Sequence, residues 1–134
     1  MVTQAIPFFM VDDMSRSLTF YVDGLGFVMK NKWTPRGTIE WCLLDLGRAS
    51  IMLQEYRPGR KPEGVRGVGI SICFNCDDAV GYYRGLLSRG VAASEPFVGN
   101  NMWVTDVTDP DGYRLFFESP TDVPEETKLS ALGN

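Results

Sequence analysis

The chain has 134 residues, enough for one compact domain or two small fused modules, and no apolar run approaches the roughly 18 residues that cross a membrane. A net charge of −4 and a pI of about 4.8 leave no basic stripe for a phosphate backbone, so nucleic acid is not an expected partner. Histidine is absent, which removes the commonest neutral metal ligand and the commonest general base near pH 7.

Residues 5–11, A-I-P-F-F-M-V, form a short apolar run with strand-type residues, and Pro7 places it toward an edge or an irregular pairing. Met1 leads almost directly into this run with no secretory pattern, so a cytoplasmic location is expected. Asp13 has the chemistry of a helix N-cap, and Met14, Leu18 and Tyr21 follow at helical spacing. The helix should stop at Gly24-Leu25-Gly26. Strands are predicted over 27–33, 39–46 and 49–54, separated by the turns Thr34-Pro35-Arg36-Gly37 and Gly47-Arg48.

Residues 55–66 are charged and hold two prolines and two glycines, the pattern of a linker. After it the order begins again. A strand is predicted over 68–76, then a helix capped by Asp78 and ending at Gly90, with Tyr82, Leu86 and Leu87 on its buried face. Glycines 81 and 85 weaken this helix intrinsically. An irregular strand within 92–99 and a regular one over 101–107 follow. Cys73 and Cys76 have C-x-x-C spacing but lie on a predicted strand, where residues three apart face opposite sides. They therefore read as small buried side chains, and the odd total of three cysteines gives no disulfide framework.

The last strand grows out of T-D-P-D-G-Y-R-L-F-F-E, residues 108–118. Pro110 presets φ, Asp111 can bond its local backbone and Gly112 tolerates a positive φ. Alternation then puts Tyr113, Leu115 and Phe117 on one face, with Arg114, Phe116 and Glu118 on the other. The tail, 121–134, is either a short helix capping the sheet edge or a loose segment.

The order is βαβββ twice. V-D-D at 11–13 and C-D-D at 76–78 each lead into a helix closed by glycine. Together with F-Y-V-D-G-L-G-F at 20–27 and D-P-D-G-Y-R-L-F-F-E at the back, this resembles the vicinal oxygen chelate superfamily of glyoxalase I, extradiol dioxygenases and bleomycin-resistance proteins. The resemblance runs from about Ala5 to Pro120. It implies an α+β fold, two tandem βαβββ modules forming cupped mixed β-sheets (the glyoxalase/bleomycin resistance/dihydroxybiphenyl dioxygenase fold). The expected division is one such domain over 1–134, with module 1 at about 4–56, a linker at about 57–66, module 2 at about 67–120 and a tail at 121–134.

In the metalloenzymes of that group, four ligands from four strands hold a divalent ion. Those positions correspond here to Ile6, Met52, Ser71 and Phe116, and a slip of one residue in either direction supplies no ligand set. The expectation is therefore no metal and no cofactor. Asp12, Asp13, Asp77, Asp78, Asp109 and Asp111 are explained by caps and turns. Glu118 and Glu40 remain as candidate acids, Glu118 either in an ion pair with Arg114 or as a polar anchor for a ligand. Phe8, Trp33, Trp41, Trp103 and Phe116 fall on predicted strands, either as core or as the lining of a cavity with Met52, Gln54, Arg114 and Glu118.

Two functions stay open. One is a metal-free protein, in the manner of bleomycin-resistance proteins, that binds a small aromatic or largely apolar ligand in the cup; a polar end on that ligand would be held by Arg114 or Glu118. The other is a glyoxalase- or dioxygenase-like enzyme, with acid–base chemistry through Glu118 or Glu40 or with an atypical metal centre. A purely structural or protein-partner role is the third possibility. The resemblance implies a homodimer.

Overall fold

A computed structural model describes residues 1–133. The chain divides into two compact units, Met1–Val65 and Arg66–Asn134. Among the described residues each carries one α-helix and one four-stranded mixed sheet, so the chain is α+β.

In the first unit β1 (Phe8–Val11) leads to α1 (Met14–Leu18), then to β2 (Val28–Trp33), β3 (Trp41–Leu46) and β4 (Ala49–Glu55). The sheet order is β1-β4-β3-β2, with β1 parallel to β4 and the other pairs antiparallel. β1 is shorter than the sequence suggests. Pro7 has no N–H to give and contributes only its carbonyl, which accepts from Met52 N at 2.9 Å. Asp13 caps α1 as expected, its carboxylate accepting from Arg16 N at 3.2 Å. After Leu18 the helix widens into a π-helical stretch, Thr19–Gly24, with Leu25 N donating to Phe20 O at 2.9 Å. The wider turn departs from a 3.6-residue spacing and keeps Tyr21, Gly24 and Leu25 all inward. Tyr21 is fully buried, with Phe20 and Phe27 packed edge-on to its ring at 5.0 and 5.6 Å.

The second unit repeats this topology. β5 (Ser71–Asn75), α2 (Ala79–Ser88), β6 (Phe97–Gly99), β7 (Met102–Thr108) and β8 (Arg114–Pro120) form a sheet in the order β5-β8-β7-β6, with β5 parallel to β8. β5 begins three residues later than the sequence suggests. Gly67 holds a positive φ of 70° there, and a Cβ on it would lie 2.6 Å from the Tyr113 ring. Asp78 caps α2 by accepting from Gly81 N at 2.8 Å. Gly81 weakens the helix by propensity, yet a side chain there would strike that same carboxylate.

α2 is pinned to its sheet by two buried hydroxyls. Thr105 Oγ1 donates to Ala79 O at 2.9 Å, and Ser119 Oγ accepts from Ala79 N at 2.8 Å. Phe117 lies beneath the helix, stacked on Phe74 at 5.0 Å and tilted against Tyr82 at 4.4 Å. The turn between β7 and β8 is held by Asp109. One oxygen of Asp109, Oδ1, accepts from Asp111 N at 2.9 Å and from Tyr113 N at 2.8 Å.

The tail is a strap along the edge strand β6. Val98 N donates to Thr127 O at 2.9 Å and Glu126 N to Val98 O at 2.8 Å, after which a short 3₁₀ helix, Leu129–Leu132, closes the described chain. Unpaired strand edges invite adventitious pairing, and this one is covered. No helix among the described residues is long and apolar enough to cross a membrane.

Candidate functional site

Each sheet has one face that carries its helix and one that does not. Strand alternation and register decide which side chains stand on the helix-free face.

On the first sheet the inward, helix-side residues are Phe9, Val11, Cys42, Leu44, Ile51 and Leu53, all buried. The opposite face is built in rows. Phe8 faces Met52, which faces Leu43; Gln54 faces Trp41, which faces Trp33. Phe8, Trp33, Trp41, Met52 and Gln54 are thus brought onto one surface. Phe8 is 50% exposed and Trp33 46% exposed, while Trp41, Met52 and Gln54 are half-buried. At one end Ser50 Oγ donates to Asp45 Oδ1 at 2.7 Å.

On the second sheet Arg114, Phe116 and Glu118 share the helix-free face, as alternation predicts. Trp103 does not. It stands opposite Ser119 and Val98, in a row on the face that carries α2, because its odd position in the β7–β8 register matches Phe117 rather than Phe116. Residues that sequence reasoning left out also belong to this surface, with Asn75 and Val104 on either side of Glu118. Cys73 on β5 and Asp106 on β7 flank Phe116 directly. Cys73 is exposed rather than a buried filler.

The electrostatics of this surface also differ from expectation. Arg114 pairs across the hairpin with Asp106, Nη2 to Oδ2 at 2.5 Å, rather than along its own strand with Glu118. Its guanidinium carbon lies 5.2 Å from the centre of the Phe116 ring, a cation–π distance. Glu118 stands beside Cys73. The Cys73 thiol is raised above its ordinary value, first by partial burial and then by the charge of Glu118 and a hydrogen bond to it. Cys73 therefore stays protonated near neutral pH and acts as a weak donor to the carboxylate.

Glu40 is not mid-strand. It precedes β3, and its Oε1 takes an ion pair from Arg36 Nη2 at 2.5 Å. That contact raises the Arg36 value, through the hydrogen bond first and the charge second. Glu40 is already engaged by Arg36, so the geometry does not favour it for acid–base chemistry.

A separate concavity of about 510 Å³ lies on the helix side of the first sheet, between Met14, Leu18 and Ile39 with Asp13 and Glu55 at its edge. Both carboxylates are already engaged, Asp13 as the cap and Glu55 Oε2 accepting from Met14 N at 2.8 Å.

The positions that correspond to a metal centre do not suit one. Ile6 and Phe116 offer no donor atom, Met52 offers a soft thioether and Ser71 a single hydroxyl on an exposed strand end. Met52 lies in the first unit and Phe116 in the second. Among the described residues no group of three or more cysteine, aspartate or glutamate side chains gathers to hold an ion.

The comparisons with known proteins agree with this architecture. The sequence pattern described as Glyoxalase/Bleomycin resistance protein/Dioxygenase superfamily matches residues 4–117. Among solved structures the chain is similar to that of TnmS3, an antibiotic binding protein from Streptomyces sp. CB03234, at 24% identity and a TM-score of 0.67, over 90% of this chain and 99% of that one. It is similar to a bleomycin-binding protein complexed with bleomycin at 22% identity and a TM-score of 0.67, over 88% and 98%. It is also similar to a glyoxylase/bleomycin resistance protein/dioxygenase domain from Frankia sp. EAN1pec at 18% identity and a TM-score of 0.70, over 90% and 98%. At these identities the likenesses establish the fold. No curated protein sequence matches the chain.

Proposed function

The chain belongs to the Glyoxalase/Bleomycin resistance protein/Dioxygenase superfamily, and on that premise we propose that it is a metal-free binding protein for a small aromatic or largely apolar molecule. The observation that carries this reading is the helix-free face of the first sheet. Phe8 and Trp33 stay about half exposed there, beside Trp41 and Met52, with Gln54 as the polar group among them. Phe8 and Trp33 stand on the two edge strands and Met52 and Trp41 lie between them, so the apolar side chains span the width of the sheet, which suits a binding surface. Phe116 adds one aromatic ring to the helix-free face of the second sheet. The antibiotic binding of TnmS3 and of the bleomycin-binding protein supports the same reading. A cytoplasmic site of action is part of the proposal.

The direct test is tryptophan fluorescence. Trp33 and Trp41 report on the first sheet, and titration with planar antibiotics should quench them with a dissociation constant on the order of micromolar. Absence of both quenching and a melting shift across a panel at millimolar concentration overturns the binding function.

The metal-free state has its own measurement. Protein purified without chelator should contain no stoichiometric divalent ion, and EDTA should leave its melting temperature unchanged, because Ile6, Met52, Ser71 and Phe116 supply no hard donor set. One equivalent of nickel, zinc or manganese retained through dialysis is the contrary result.

We propose further that the protein works as a two-fold homodimer. Exposed apolar side chains outside that surface, such as Val28, Val68 and Ile70, leave a single chain with surface to bury. Light scattering at micromolar concentration should give twice the chain mass of 15.0 kDa, and a mass equal to that of one chain removes the dimer.

A further inference from the structure

Resting on the binding function proposed above, we infer that the second sheet selects a ligand whose polar end is a cation, a protonated amine, amidinium or ring nitrogen on a planar body, and that Glu118 is the residue that selects it. The sequence offers Arg114 and Glu118 as equal candidates for the polar contact. The geometry separates them.

Arg114 is already satisfied. Its guanidinium is paired with Asp106 Oδ2 and lies over the Phe116 ring. A ligand carboxylate could claim Arg114 only by drawing it from Asp106. The other Asp106 oxygen, Oδ1, is buried and has no hydrogen-bond partner among the described residues. Removing the guanidinium would then leave the whole carboxylate without a counter-charge in a partly buried place, which is strongly unfavourable.

Glu118 is in the opposite condition. It stands two residues beyond Phe116 on the same face of β8, half-buried, and makes no ion pair among the described residues. Its register partners are Asn75 on β5 and Val104 on β7, both neutral, and the Cys73 thiol is a weak neutral donor to it. Charge on this face sums accordingly: Arg114 and Asp106 cancel, and the carboxylate of Glu118 remains. A half-buried carboxylate next to an aromatic ring is best completed by a cation with N–H donors attached to an apolar body. An anion placed there would meet Glu118 without a free guanidinium to offset it.

The experiment is equilibrium titration of the full chain with three tricyclic probes of similar size: proflavine as the cation, 9-anthracenemethanol as the neutral molecule and 9-anthracenecarboxylate as the anion. Proflavine should bind at least about tenfold tighter than the other two. Glu118→Gln should abolish that preference by weakening proflavine, whereas Arg114→Gln combined with Asp106→Asn, which removes the ion pair without changing the net charge, should leave the preference for the cation in place. The preference in the unmodified protein should also shrink as salt is added, a readout that stands even if a variant folds poorly. Tightest binding of the anion, or a cation preference that survives Glu118→Gln, overturns the inference and leaves the binding function standing. Failure of all three probes to bind overturns both.

Discussion

Phe117→Ala should destabilise the protein by about 3–5 kcal/mol, whereas Phe116→Ala, one residue away, should cost about 1 kcal/mol or less. Phe117 is 1% exposed, stacked on Phe74 and tilted against Tyr82 beneath α2, so truncation leaves a cavity that three rigid elements cannot close. Phe116 points to the other face and is only half-buried, beside Cys73 and Asp106. Its loss should instead weaken a planar ligand, by about tenfold. Denaturant melts of both variants, paired with a proflavine titration of each, check the contrast. Equal destabilisation by the two substitutions would mean that the faces of β8 are assigned wrongly.

Asp109→Ala is the second large effect, about 2–3 kcal/mol, because it leaves two backbone N–H groups without their acceptor. The carboxylate is 4% exposed, and its Oδ1 serves both Asp111 N and Tyr113 N in the turn that sets the β7–β8 hairpin. Asp109→Asn keeps an oxygen in the same place and loses only the charge, so it should cost clearly less. Urea melts of the two variants measure the difference. If alanine and asparagine cost the same, the turn is not held by that oxygen.

The hairpin register explains much of what could be read before the structure was known. The D-P-D-G turn places β7 opposite β8, and period-two alternation then sorts Leu115 and Phe117 from Arg114, Phe116 and Glu118. The same parity, carried across the turn, assigns Asp106 to Phe116's face and Trp103 to the opposite one. Both were legible in principle. Aromatic character alone does not place Trp103, since strand parity decides its face, and no local pattern marks Asp106 as the partner of an arginine eight residues on.

The sequence by itself determined the repeated βαβββ order, the caps at Asp13 and Asp78, the turn at 109–112 and the poverty of metal donors at Ile6, Met52, Ser71 and Phe116. These are local matters, set by side-chain chemistry within a few residues, and local physics writes them plainly. Only the tertiary structure decided that β1 runs parallel to β4 and β5 to β8, since no turn joins those strands and their register depends on the packing of everything between. That pairing sets Cys73 beside Phe116 and Phe8 beside Met52. The widening of the first helix at Thr19–Gly24 was equally out of reach, because it follows from fitting Tyr21 into a finished core. The same holds for the choice of Asp106 over Glu118 as the partner of Arg114. An exposed arginine takes whichever carboxylate the folded sheet sets within reach, and residues from two strands competed for this one.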